Sequence, residues 1–65
     1  MKVYYMICSY ELIPEVMLFK TVEDLKQAWI ESCPDYMKTE DAEESFHMGY
    51  ASWHDVELRW GAEYV

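Results

Sequence analysis

Apolar positions change their period along this chain, and each change marks an element. Val3–Tyr10 is almost continuously apolar or aromatic. In an extended chain Val3, Tyr5 and Ile7 fall on one side, and Tyr4, Met6, Cys8 and Tyr10 on the other. The β-branched and aromatic content favours strand over helix. Apolar residues on both sides predict a central strand with both faces largely covered. Glu11–Pro14 reads as a connection, because Pro14 has no N–H for a ladder and belongs at a turn or a strand edge. Glu15–Lys20 reads as a second strand, with Val16 and Leu18 on one face and Met17 and Phe19 on the other. The short gap between the two runs predicts an antiparallel hairpin.

The period then becomes helical. Val22, Leu25, Ala28, Trp29 and Cys33 form one apolar stripe, while Glu23, Gln27 and Glu31 lie away from it. Thr21 is placed to cap the helix with its hydroxyl, and Asp24 stands where a capping-box acid would. Glu23 and Asp24 put negative charge at the positive end of the helix dipole. Pro34 stops the helix, since the residue before a proline avoids helical backbone.

Pro34–Ser45 is polar, with Tyr36 and Met37 as its anchors to the body. It is open to two readings: a loop, or a short second helix begun by Thr39, Glu40 and Asp41, with Ala42 and Phe46 one turn apart. Phe46–Ser52 has the content of a third strand, with Phe46, Met48 and Tyr50 on one face; Gly49 serves equally as the stop of an acidic helix. After a tight connection at Trp53–Asp55, Val56, Leu58, Trp60, Ala62 and Tyr64 alternate with Glu57, Arg59, Gly61 and Glu63. That alternation predicts a strand with one packed and one wet face. The predicted fold class is α+β: an antiparallel β-sheet in the order β-β-α-β-β, with one amphipathic helix packed on one face.

Composition sharpens this picture. Residues 1–65 read as one small acidic domain with a thin core, and three Trp, six Tyr, two Phe and five Met enlarge the buried area per residue. No apolar run approaches a membrane span, and Val3–Cys8 is too short for a signal peptide, so a cytoplasmic location and no membrane partner are expected. Cys8 and Cys33 belong to no C-x-x-C pair and read as reduced, mostly buried thiols, with a disulfide between them as the alternative.

The net charge is −8, and it is unevenly spread. Residues 1–20 are neutral, residues 21–38 carry −2 and residues 39–65 carry −6. Such a field repels nucleic acid and attracts basic surfaces. Asp35, Glu40, Asp41, Glu43 and Glu44 lie in the polar segment, and Asp55, Glu57 and Glu63 on the wet face of the last strand. If the two sets meet along one side, they form a partner-binding surface. Acids at alternate strand positions are about 7 Å apart, close to phosphate spacing. The plain alternative is a surface that only solubilises.

No catalytic chemistry is legible. There is no Gly-rich phosphate loop, no nucleophile elbow and no carboxyl placed in a recognisable cleft. Cys8, Cys33, His47 and His54 lack the short paired spacings of a zinc site. No metal, no cofactor and no enzymatic activity are therefore expected. Tyr4, Tyr5, Tyr10 and Tyr50 suit a base-stacking platform by type but have no cationic groove beside them, so they read as core and interface.

In size, acidity and α+β content the chain resembles small phage-encoded inhibitors of bacterial DNA-handling machines. These include anti-CRISPR proteins, anti-restriction proteins and inhibitors of uracil-DNA glycosylase, many of which mimic DNA charge. The resemblance implies an anti-CRISPR-like inhibitor in the cytoplasm of a bacterial host. Its partner would be a basic nucleic-acid-binding protein, such as a Cascade complex or a single-protein effector. A monomer is expected in preference to a dimer. A second reading is a regulatory module that binds host machinery, for example RNA polymerase or uracil-DNA glycosylase, through an aromatic surface. A third is a metal- or redox-dependent domain using Cys8 and Cys33.

Overall fold

The computed structural model describes residues 1–65 as β1 (Lys2–Tyr10), β2 (Ile13–Phe19), α1 (Val22–Ser32), α2 (Thr39–Met48), β3 (Tyr50–Trp53) and β4 (Val56–Tyr64). The strands form one antiparallel sheet in the order β2-β1-β4-β3. The class is α+β as expected, but there are two helices rather than one. No helix is long and apolar enough to cross a membrane.

α1 begins where its sequence says. The Asp24 N–H donates to the Thr21 hydroxyl at 3.2 Å, and Leu25, Trp29 and Cys33 are buried along the expected stripe. α2 is the acidic helix. Ala42 and Phe46 are its buried residues, and Gly49 closes it with left-handed backbone at φ 77°. A residue without a Cβ takes that conformation at little cost. The predicted strand Phe46–Ser52 is therefore corrected: its first half is the last turn of α2, and only Tyr50–Trp53 pairs in the sheet.

Both helices cover one sheet face. The fully buried Met6 and Leu58 lie there, with Ala51 beside them. Trp29 ties the two helices together: its indole N–H donates to the Ser45 hydroxyl at 2.9 Å, and its ring meets Phe46 edge-on. Phe46 stacks on Trp60 at 4.8 Å, and the Trp60 indole N–H donates to the Phe46 carbonyl. The indole N–H groups of the buried Trp29 and the half-buried Trp60 are thus satisfied, which offsets the desolvation cost of covering them.

β1 is central, flanked by β2 and β4. The expectation that both of its faces are covered is corrected. Register places Val3, Tyr5 and Ile7 beside Val16, Leu18, Arg59, Gly61 and Glu63 on the face opposite the helices, where no second layer lies. The Tyr5 ring lies over Gly61, in space that any side chain at position 61 would need. The β1–β2 connection is also tighter than predicted. Only Glu11 and Leu12 form it, both with positive φ, as a two-residue hairpin turn of matching twist requires. Pro14 sits on the edge strand β2, one of the two places its missing N–H allows.

Candidate functional site

The eight acids singled out from the sequence do not form one row. Glu40, Asp41, Glu43 and Glu44 all belong to α2, in the helix layer. Glu40 and Glu44 are one turn apart and both exposed, a like-charge pair that costs the helix a few tenths of a kcal/mol. Glu40 and Asp41 in the first turn recover some of that through the helix dipole. Glu43 is half-buried and stands 3.9 Å from Lys26 of α1. Glu57 and Glu63 lie on the opposite, uncovered face of the sheet, because β4 alternates and Leu58 and Trp60 take the helix side. The two sets therefore occupy opposite sides of the sheet.

They converge at one end. The Tyr36 ring meets His54 edge-on at 6.3 Å, which brings the segment holding Asp35 to the β3–β4 turn that holds Asp55. α2 starts from this same segment. The Glu11 N–H donates to the Asp55 carbonyl at 3.0 Å, so the β1–β2 turn sits alongside. A recess of about 240 Å³ opens between the two turns, lined by Glu11, Asp55, Glu57, His54, Ser9 and Ser52. Asp35, Asp55 and Glu57 are thus gathered at the end where the first turn of α2 begins. Glu63 is not among them: six positions along β4 put it about 20 Å from Glu57.

Glu11 belongs to this acidic end and is absent from the sequence-derived set. Nothing local marks it, since it lies in the neutral first twenty residues. Only the pairing of β1 with β4 reveals its place. His54, which the sequence spacing excludes from a zinc site and leaves as a core or surface histidine, is exposed, with φ 48°, and meets the Tyr36 ring edge-on.

The acids are little neutralised. Two ion pairs exist, Lys26–Glu43 at 3.9 Å and Arg59–Glu57 at 3.7 Å, both long and solvent-facing. Such pairs contribute at most about 1 kcal/mol and leave most of the field outside the molecule. Lys2 lies over the Tyr4 ring at 5.4 Å, and Arg59, besides its long pair with Glu57, lies over Tyr50 at 5.7 Å.

The tyrosines divide by parity. Tyr5 and Tyr50 stand on the uncovered face, Tyr4 and Tyr10 on the helix side. No tryptophan reaches the uncovered face: Trp29 is in α1, and Trp53 and Trp60 pack against the core.

Cys8 and Cys33 are free thiols. Burial raises both above the ordinary thiol range. Beside Cys8 the Glu15 carboxylate raises the thiol further, and beside Cys33 the Ser45 hydroxyl pulls it back in part. Both are thus poor thiolates at neutral pH. His, Cys, Asp and Glu side chains form no group of three able to hold a metal ion.

Comparison of the chain with protein-family models, with curated proteins and with solved structures finds no match.

Proposed function

We propose that this protein is a small acidic inhibitor that occupies the basic nucleic-acid channel of a bacterial DNA-handling machine and blocks DNA binding by charge mimicry. A CRISPR effector such as a Cascade complex is the target class that fits best, which makes the protein anti-CRISPR-like. The observation that carries the reading is the little-neutralised acid of the second half of the chain, whose two sets lie on opposite faces of the sheet and converge at one end of a small fold. Residues 39–65 carry −6, and they build α2, β3 and β4. A charge of this density, set on a rigid helix and two turns, offers fixed carboxylates to Lys and Arg without the counterion shell and base edges of DNA.

The contact surface of this reading is the acidic end, Glu11, Asp35, Asp55 and Glu57, continued along α2 by Glu40, Asp41, Glu43 and Glu44. Glu63 is a separate outlying charge. Opposite signs steer the encounter, and each rim pair adds under about 1 kcal/mol, so single substitutions are nearly silent and clusters are not. The test is DNA binding by a purified Cascade complex and by a single-protein effector, titrated with this protein at low and at high salt. Inhibition that weakens steeply with salt supports the reading. Inhibition insensitive to salt would contradict it and favour a regulatory module that docks through apolar surface. No effect on either effector would remove CRISPR machinery as the target class.

A further inference from the structure

The two edges of the sheet are unlike. β3 is short, Tyr50–Trp53, and lies on the acidic side below α2. β2 is longer, Ile13–Phe19, and Glu15 is its single charge. Natural edge strands are usually blunted by charge, by proline, by bulges or by brevity, because their free N–H and C=O groups pair with any strand that arrives. On β2 only Pro14 and Glu15, both near its start, do this, and Val16–Phe19 carries no such device. Val16 is 59 % exposed and Leu18 70 % exposed on the uncovered face, continuous with Tyr5 and Ile7 of β1.

We infer that β2 is a self-pairing edge: a second copy of this chain adds its own β2 antiparallel to the first, and the two sheets become one. Charge leaves a second copy this place to dock, and the register set by the strand's own sequence makes the edge self-complementary. Two chains of −8 repel wherever their acidic sides meet, and residues 1–20, which include β1 and β2, are the neutral part of the chain. β2 and β3 are the outermost strands of the sheet, about 14 Å apart. β2 starts at the acidic end, just after Glu11, and runs away from it. Antiparallel pairing of two β2 strands therefore sends the two acidic ends in opposite directions. A parallel pairing or a face-to-face stack would bring them closer.

The sequence also sets the register. Pro14 and Lys20 bracket Glu15–Phe19. Pairing centred on Met17 sets Val16 opposite Leu18 of the second copy, and Glu15 opposite its Phe19. Pro14 then falls outside the ladder, where its missing N–H costs nothing. The apolar row Ile7–Val16 continues into Leu18 and Tyr5 of the second copy, and no like charges face each other. Against the expectation of a monomer, this edge belongs to the neutral first twenty residues.

Sedimentation equilibrium of the full chain across the micromolar to millimolar range, paired with amide hydrogen exchange, tests the inference. A monomer–dimer equilibrium is expected. It should tighten as salt rises, because salt screens the repulsion between the two acidic sides. Amides of Glu15–Phe19 should gain protection with concentration, while those of Tyr50–Trp53 should not. Val16→Lys with Leu18→Lys should weaken dimerisation about tenfold or more with an unchanged circular dichroism spectrum, since both positions are exposed. Val16→Thr with Leu18→Thr keeps strand propensity and the backbone ladder, and should dimerise much as the parent does. A monomer at every concentration and salt overturns the inference. So does a dimer whose β2 amides gain no protection, or one that the threonine pair abolishes, because these are the signs of stacking through the uncovered face.

Discussion

The β2 side and the α2–β3 side are parts of one sheet with opposite surface chemistry. On the β2 side the uncovered face is apolar: Val3, Tyr5, Ile7, Val16 and Leu18 lie together, and the first twenty residues are neutral. On the α2–β3 side the same face carries Glu57, Arg59, Glu63 and Ser52, and the helix layer above carries four more acids. The core beneath is shared. Trp29 from α1 touches Phe46 from α2, and Phe46 stacks on Trp60 from β4. A domain this small thus keeps two kinds of contact surface apart by strand order alone. Charge repels copies on one side and leaves the other side free to make apolar or main-chain contacts.

The largest expected effect removes what the two sides share. Trp29→Ala deletes a fully buried side chain and leaves the Ser45 hydroxyl without its indole donor. It should cost about 3–5 kcal/mol, enough to unfold a domain this small, read as loss of the cooperative melt. If the acidic helix melted while the hairpin stayed folded, the sides would be separate units and the shared-core account would be wrong.

Gly49→Ala acts on the acidic side alone. An added Cβ meets only the Trp60 indole at an ordinary 3.9 Å, so the cost is the left-handed backbone and not a clash. Chemical denaturation should show a loss of about 1 kcal/mol. A neutral result would mean that the C-terminus of α2 frays without consequence.

At the junction of the two sides, Glu11→Asn with Leu12→Gly should stabilise the fold by about 1 kcal/mol, because both positions hold positive φ that Asn and Gly accept readily. The same change removes one acid from the acidic end. Loss of this one rim acid should leave target affinity nearly unchanged while stability rises, which thermal melts and binding measured on one sample would check.

How legible these features were in the sequence depended on whether one period or two fitted a window. The α1 stripe with its Thr21 cap, and the alternation of β4, each fit a single period and are found in place. Phe46–Ser52 fits two. Phe46, Met48 and Tyr50 satisfy strand alternation, while Ala42, Phe46 and a stop at Gly49 satisfy a helix. Packing decides for the helix, since Phe46 meets Trp29 and Trp60 only from there. Two readings failed for a different reason. That β1 has one covered face, and that Glu57 and Glu63 lie across the sheet from the α2 acids, depend on which strands are neighbours and which face the helices take. No local pattern encodes that choice. Glu11 carries no local signal for the same cause, because a β1–β4 pairing brings it to Asp55.

The central claim is that the acidic side, and not the apolar side, makes the functional contact. It is tested most directly by the association rate of a target captured from bacterial lysate at low salt, measured across ionic strength for three proteins. These are the parent, the variant with Glu40, Asp41, Glu43 and Glu44 all changed to Lys, and the variant with Val16 and Leu18 changed to Lys. The account predicts that the parent associates fast at low salt and slows as salt rises, that the α2 variant is slow throughout, and that the β2 variant follows the parent. An α2 variant that folds and associates like the parent, with a β2 variant that does not bind, would contradict it and assign the contact to the apolar side.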